Sequence, residues 1–179
     1  MSWKCLASNY IVNTKWLKVR KDRVELPNGH IMDDYYVVEK SNVALIVALD
    51  SENRVILKKE YRYPLDTELI ELPGGTFEAD NDNPLEVAQR ELLEETGYKS
   101  DDWEHLGTYY DYPTKDTNTI HVFLAKDVYK VAEPNLEISE DISFDFIPLK
   151  DAVEMVKRGD IQVCASVTVL LKVYYTSAL

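Results

Sequence analysis

Three glutamates, Glu91, Glu94 and Glu95, stand at i, i+3 and i+4 within the stretch RELLEETGY, residues 90–98. Like charges at these spacings are neighbours on a helix surface and repel by roughly a few tenths of a kcal/mol per pair. Two chemistries account for such crowding: a solvated acidic face, or a site for a metal cation. The second suits Mg²⁺, a hard cation that takes oxygen ligands and keeps several waters. Two carboxylates one helical turn apart can share one such cation.

The element that must carry these groups has clear ends. Asn83 is suited to cap a helix, Pro84 to open it, and Glu86 to fill the acidic position of a capping box. Gly97 is suited to end it in a left-handed conformation. At ~100° per residue, Leu85, Ala88 and Leu92 share a stripe that faces the core. Glu91 and Glu95 lie beside this stripe, with Glu94 next and Arg90 beyond. The carboxylates therefore flank a buried seam, where uncompensated charge is costly.

Around the helix the sequence reads mostly as strand. Residues 16–39 alternate apolar and charged side chains about an Asn28-Gly29 turn and predict a hairpin too small to be stable alone. The apolar run 42–50 predicts a strand buried on both faces, paired with 53–63. A short strand over 68–75 is expected to end at Pro73-Gly74-Gly75. Further strands are expected at 104–112, 119–127 and 142–148, and helices at 150–158 and 164–176. The expected fold is mixed α/β (α+β), a central sheet with helices on its faces.

The 179 residues carry a formal net charge of −12, which argues against non-specific nucleic-acid binding. A small anionic ligand remains compatible if metal cations and local Arg or Lys offset the field. No run approaches ~20 apolar residues, so no membrane span or membrane partner is expected. The start, MSWKCLASNY, lacks a signal-peptide pattern. Cys5 and Cys164 match no metal or redox spacing and read as reduced thiols of a cytoplasmic protein.

The stretch from Arg90 to Tyr98 resembles the second half of the Nudix hydrolase signature, R-E-U-x-E-E-x-G-U with U apolar or aromatic. Arg90, Glu91, Leu92, Glu94, Glu95, Gly97 and Tyr98 match it at every fixed position. The first half departs from it. Counted back from Arg90, the signature's first Glu falls on Asp82 and its Gly on Thr76; counted forward from Gly75, the Glu falls on Asn81. One extra residue in GTFEADND explains both counts, and Glu78, Asp80 and Asp82 compete for the missing acid's place. The segments KKEYRYPLDTELIELPGG and WLKVRKDRVELPNG, with Pro113 downstream, are similar to the ADP-ribose and ADP-sugar pyrophosphatase branch; the similarity covers residues 13–175.

The resemblance implies a Nudix-type mixed sheet between helices (residues 41–179) and a small N-terminal β-subdomain (residues 1–40) serving dimerisation and base binding. It implies Mg²⁺, with Mn²⁺ as a substitute, held by Glu91, Glu95 and the Gly74 carbonyl, with Glu94 a further ligand or a catalytic group that orients the ligands. Arg90 would brace the glutamates. Arg62 would contact the diphosphate or terminal ribose. Trp16 and Tyr36 would sandwich the base, with core packing as the competing reading for Trp16 and for whichever of Tyr35 and Tyr36 points inward. A late-loop catalytic acid is expected at Glu140, with Glu137 as its rival. The implied substrate is a nucleotide sugar, first ADP-ribose, with GDP-mannose as alternative, in a homodimer. An idle nucleotide-binding sensor of the same family is the competing class.

Overall fold

The computed structural model describes residues 2–78, 82–138 and 140–177. Its N-terminal part is a three-stranded antiparallel sheet of β1 (Lys4–Asn13), β2 (Lys18–Glu25) and β3 (Ile31–Glu39). The hairpin expected from the sequence is β2 and β3; β1 precedes it and was not legible. All ten β1 residues are exposed, and its pairing to β2 is interrupted between Cys5 and Ala7 and between Tyr10 and Val12. A strand with no buried face and two irregularities leaves no period-two pattern to read.

The next strands are β4 (Asn42–Ala48), β5 (Arg54–Arg62), β6 (Thr67–Glu71) and β7 (Gly74–Phe77), followed by helix α1 (Pro84–Thr96). β8 (Tyr98–Lys99), β9 (Asp102–Tyr110), β10 (Thr119–Lys126), β11 (Tyr129–Lys130) and β12 (Ile142–Pro148) lead to α2 (Leu149–Arg158) and α3 (Cys164–Ser177). A mixed sheet runs β7-β4-β10-β9, with β4 and β10 parallel; a second, antiparallel sheet runs β12-β5-β6. β8 and β11 form a short ladder of their own.

β4 is buried on both faces, as its continuous apolar run requires. Leu45, Val47 and Leu49 enter one core with Ala152, Ile161, Val169, Leu170 and Val173 of the α2–α3 side. Ala44, Ile46 and Ala48 enter the other, against Val87, Ala88 and Leu92 of α1. The expected α/β architecture, sheet between helices, is thus the observed one. The Pro73-Gly74-Gly75 segment differs from expectation: Pro73 separates β6 from β7, and both glycines lie inside β7, paired to β4. Proline lacks the N–H a ladder needs, so the break falls there, while its carbonyl still accepts from Ile46 N–H at 2.9 Å.

The N-terminal sheet is tied to the rest by the loop between β9 and β10. Val38 N–H donates to Lys115 O at 2.8 Å, Thr117 N–H donates to Val38 O at 3.2 Å, and Lys40 pairs with Asp116. Among the described residues no helix is long and apolar enough to cross a membrane.

Candidate functional site

Helix α1 is set as its sequence demands. The Asn83 side chain accepts from Leu85 N–H, Pro84 opens the helix, and Gly97 closes it at φ 77°. Val87, Ala88 and Leu92 are buried, Leu85 only partly. Glu95 continues the buried seam at 2% exposure, and Glu91 and Glu94 border it.

This face opens on a cleft of about 580 Å³ between α1, β5, β6, β7 and the loop before β12. Among the described residues, seven glutamates line it (60, 71, 91, 94, 95, 137 and 140) against three cationic side chains, Lys58, Arg62 and Arg90. Arg90 donates to Glu94 and Glu91, each at 2.7 Å. Arg62 crosses the far wall, donating to Glu60 at 2.7 Å and to Glu71 at 2.8 Å. Gly74 donates its N–H to Glu95 Oε2 at 3.0 Å.

Burial governs the electrostatics. Loss of solvation pushes the Glu95 carboxyl up to about 7, against the pull of Lys58 and the Gly74 N–H. Glu91 is raised by burial, with Glu94 and Glu140 adding to the effect and Arg90 opposing it. Burial alone would depress the Lys58 ammonium, yet the Glu95 and Glu60 carboxylates hold it above its ordinary value.

The glycines set the spacing. A Cβ on Gly75 would land on the Glu91 carboxyl group, and one on Gly74 would collide with the Ala44 carbonyl. The late loop is fastened to the end of α1: Asn135 N–H donates to Glu94 O at 2.8 Å, and Val131 and Ala132 donate to Gly97 O. That attachment brings both Glu137 and Glu140 to the cleft wall. Glu140 folds back on its own loop, its carboxylate accepting from Glu137 N–H at 2.8 Å.

Glu91, Glu94, Glu95, Arg90, Gly74, Arg62 and Glu140 therefore share one cleft. Trp16 and Tyr36 do not join them within this chain. Trp16 sits at the β1–β2 turn, 84% exposed, with Lys15 over its ring, so it does not pack in the core of this chain. Tyr36 is exposed on β3, while Tyr35 packs edge-on against Trp3 and donates to Thr114 O. Both lie off the cleft because the N-terminal sheet docks on the β9–β10 loop. Past β7, Asp82 accepts from Glu78 N–H at 3.1 Å; Ala79, Asp80 and Asn81 lie outside the described residues.

Lys58, Glu60, Glu71 and Gly75 escaped the sequence reading. The signal was the period of two in β5: from buried Ile56 inward, positions 58, 60 and 62 share a face, and all three are charged.

The donor set is all oxygen, which suits a divalent cation such as Mg²⁺. Among the described residues, no three metal-ligating side chains converge on one point, because Arg90 and Lys58 each hold glutamates. The surplus of carboxylates, and the buried Glu60 Oε2 left without a hydrogen bond, fit a further cation.

Residues 39–165 match the model of the NUDIX domain, and residues 3–38 that of the nucleoside diphosphate sugar hydrolase N-terminal domain. A methanol dehydrogenase activator of Bacillus methanolicus is 32% identical over 157 residues, covering 87% of this chain and 83% of the relative. An ADP-ribose pyrophosphatase of Bacillus subtilis is 31% identical over 160 residues, covering 88% and 85%. A solved ADP compounds hydrolase shares the fold at a TM-score of 0.86 and 20% identity, covering 98% of this chain and 94% of its own.

Proposed function

This chain belongs to the Nudix hydrolases, and from that premise we propose that it hydrolyses the diphosphate bond of a nucleoside diphosphate sugar, ADP-ribose to AMP and ribose 5-phosphate. The observation that carries the reading is the cleft itself: Glu91, Glu94 and Glu95 on one wall and the Arg62 guanidinium on the other. A dianionic diphosphate needs cations on both sides, and Arg62 provides one of them in a fork suited to phosphate oxygens. The N-terminal domain match and the pyrophosphatase relative favour a nucleotide sugar.

Glu91, Glu94, Glu95 and the Gly74 carbonyl would hold Mg²⁺, or Mn²⁺ in its place. When bound, the ion supplies charge stabilisation on the diphosphate and acidifies water at the site. Arg90 keeps Glu91 and Glu94 oriented. Glu140 takes the proton from the attacking water once its carboxylate leaves Glu137 N–H. The water oxygen bonds to phosphorus, the bridging P–O bond breaks, and two phosphomonoesters result.

Assembly as a homodimer accompanies this reading. Trp3, Tyr10, Ile11, Trp16 and Leu17 expose a large apolar area on the N-terminal sheet, and a two-fold partner would cover it. The partner would also carry Trp16 and Tyr36 towards a base. Cys5 and Cys164 are both free, in keeping with a reducing cytoplasmic setting.

The test is incubation with Mg²⁺, and in parallel Mn²⁺, against a panel including ADP-ribose and GDP-mannose, reading phosphate released by added phosphatase. ADP-ribose turnover that stops with EDTA is the expected result. Binding without turnover of any panel member would make the protein a nucleotide sensor instead. Light scattering should give twice the monomer mass.

A further inference from the structure

β5 turns Ile56, Lys58, Glu60 and Arg62 towards α1, so the apolar row gives way to charge inside the protein. The Lys58 side chain is only 4% exposed. Its Nζ lies 2.5 Å from Glu95 Oε1 and 2.8 Å from Glu60 Oε2. The second contact is an ion pair without hydrogen-bond geometry, so Glu60 Oε2 is buried with no hydrogen bond. Glu71 faces Lys58 across the β5–β6 ladder.

Both oxygens of Glu95 are therefore engaged, one by Lys58 and one by the Gly74 N–H. An incoming cation at Glu95 must share an oxygen with one of these donors or displace it, and the ammonium repels it in either case. The amide is held in the β7–β4 ladder. The lysine is a flexible stem already ion-paired with a second acid, Glu60 Oε2, which has no hydrogen bond of its own.

We propose that Lys58 is a positioning residue that stands in for the divalent cation, neutralising Glu95 in the metal-free protein and moving onto Glu60 when the metal binds. This rests on the metal reading given above. A buried carboxylate without its partner is strongly unfavourable, so the ammonium keeps the empty cleft folded. A tethered positive charge beside the ligands also opposes the metal, so the cleft binds it less tightly than its seven glutamates would allow.

The test is calorimetric titration of MgCl₂ into wild type and Lys58→Met at one fixed alkaline pH, with melting temperatures in EDTA and in Mg²⁺. Lys58→Met should bind Mg²⁺ about tenfold more tightly or better. It should melt below wild type in EDTA and gain more from Mg²⁺. Lys58→Arg should keep the wild-type affinity. Lys58→Gln carries the same expectation as Met should that variant not fold in EDTA. A merely structural lysine would lower stability without tightening the metal. Equal or weaker Mg²⁺ binding by the neutral variants overturns the proposal, as does their failure to fold even in Mg²⁺. Absence of Mg²⁺ binding by wild type would sink the metal reading itself, a separately recognisable result.

Discussion

The N-terminal sheet and the cleft both gather carboxylates around arginine, yet the two clusters are built differently. In the sheet, Arg20 donates to Asp22 at 2.9 Å and to Glu39 at 2.6 Å, while Ser8 and Tyr10 hydroxyls take up the remaining demand of each acid. Two acids, one guanidinium and two hydroxyls close on themselves. The Tyr10 hydroxyl lowers the Glu39 pKa, and Arg20 helps to do so against a burial effect. In the cleft, acids outnumber cations, burial dominates, and Glu91 and Glu95 are pushed up. A satisfied cluster holds structure together; an unsatisfied one is prepared for a ligand.

The sharpest way to break this contrast is Glu95→Gln. Loss of that charge should cut turnover by about 100-fold or more while the fold survives. Steady-state rates within a few-fold of wild type would reduce the cleft to another structural cluster. Gly75→Ala comes next. Its methyl group would displace the Glu91 carboxyl rather than backbone, so turnover should fall between about ten- and a hundredfold with little change in melting temperature. A melting loss as large as the rate loss would assign Gly75 to folding alone.

The two clusters should also answer pH with opposite signs. Glu95 has a folded-state value of about 7 against an ordinary 4.5, so the native state binds the extra proton. Its contribution is fully present below about 4.5 and is lost as pH rises towards 7, by ~1–3 kcal/mol. Glu39 is depressed, so its contribution is present above 4.5 and is lost as pH falls below it. Urea midpoints in EDTA across this range should flatten between 4.5 and 7 in Glu95→Gln and keep their slope in Glu39→Gln. The same slope in both variants would erase the distinction.

Arg20→Met should cost about 1–2 kcal/mol of stability, since it strands the buried Asp22, yet leave the turnover of folded protein within twofold. A tenfold rate loss would tie the sheet to catalysis. Asp82→Ala should have the smallest effect, a few tenths of a kcal/mol and a few-fold in rate at most, because its carboxylate makes an exposed hydrogen bond with Glu78 N–H. A loss matching that of Glu95→Gln would give this loop acid a catalytic part.

Helix α1 was readable almost residue by residue, because cap, proline, stripe and terminal glycine all specify the same element. β4 was readable because burial on two faces leaves an unbroken apolar run. β1 was not, since nothing buries any of its residues. Lys58 was missed for another reason: a lysine in a strand reads as outward-facing, and only the three-dimensional approach of Glu95 makes an inward lysine tolerable. Gly75 carried a visible signal, a paired glycine, but its purpose depends on a side chain sixteen positions away in sequence. The positions of Trp16 and Tyr36 depend on where the N-terminal sheet docks, and no local pattern encodes that.

The docking of the β9–β10 loop on Val38 also bears on how this molecule avoids sticking to others. An unpaired strand edge is a template onto which foreign chains can add. At β3 that edge is taken up around Val38 by Lys115 and Thr117, which leaves β1 as the open side of the N-terminal sheet. The two interruptions in β1 pairing fall on this open side, where bending spoils the flat row of amides and carbonyls that strand addition requires.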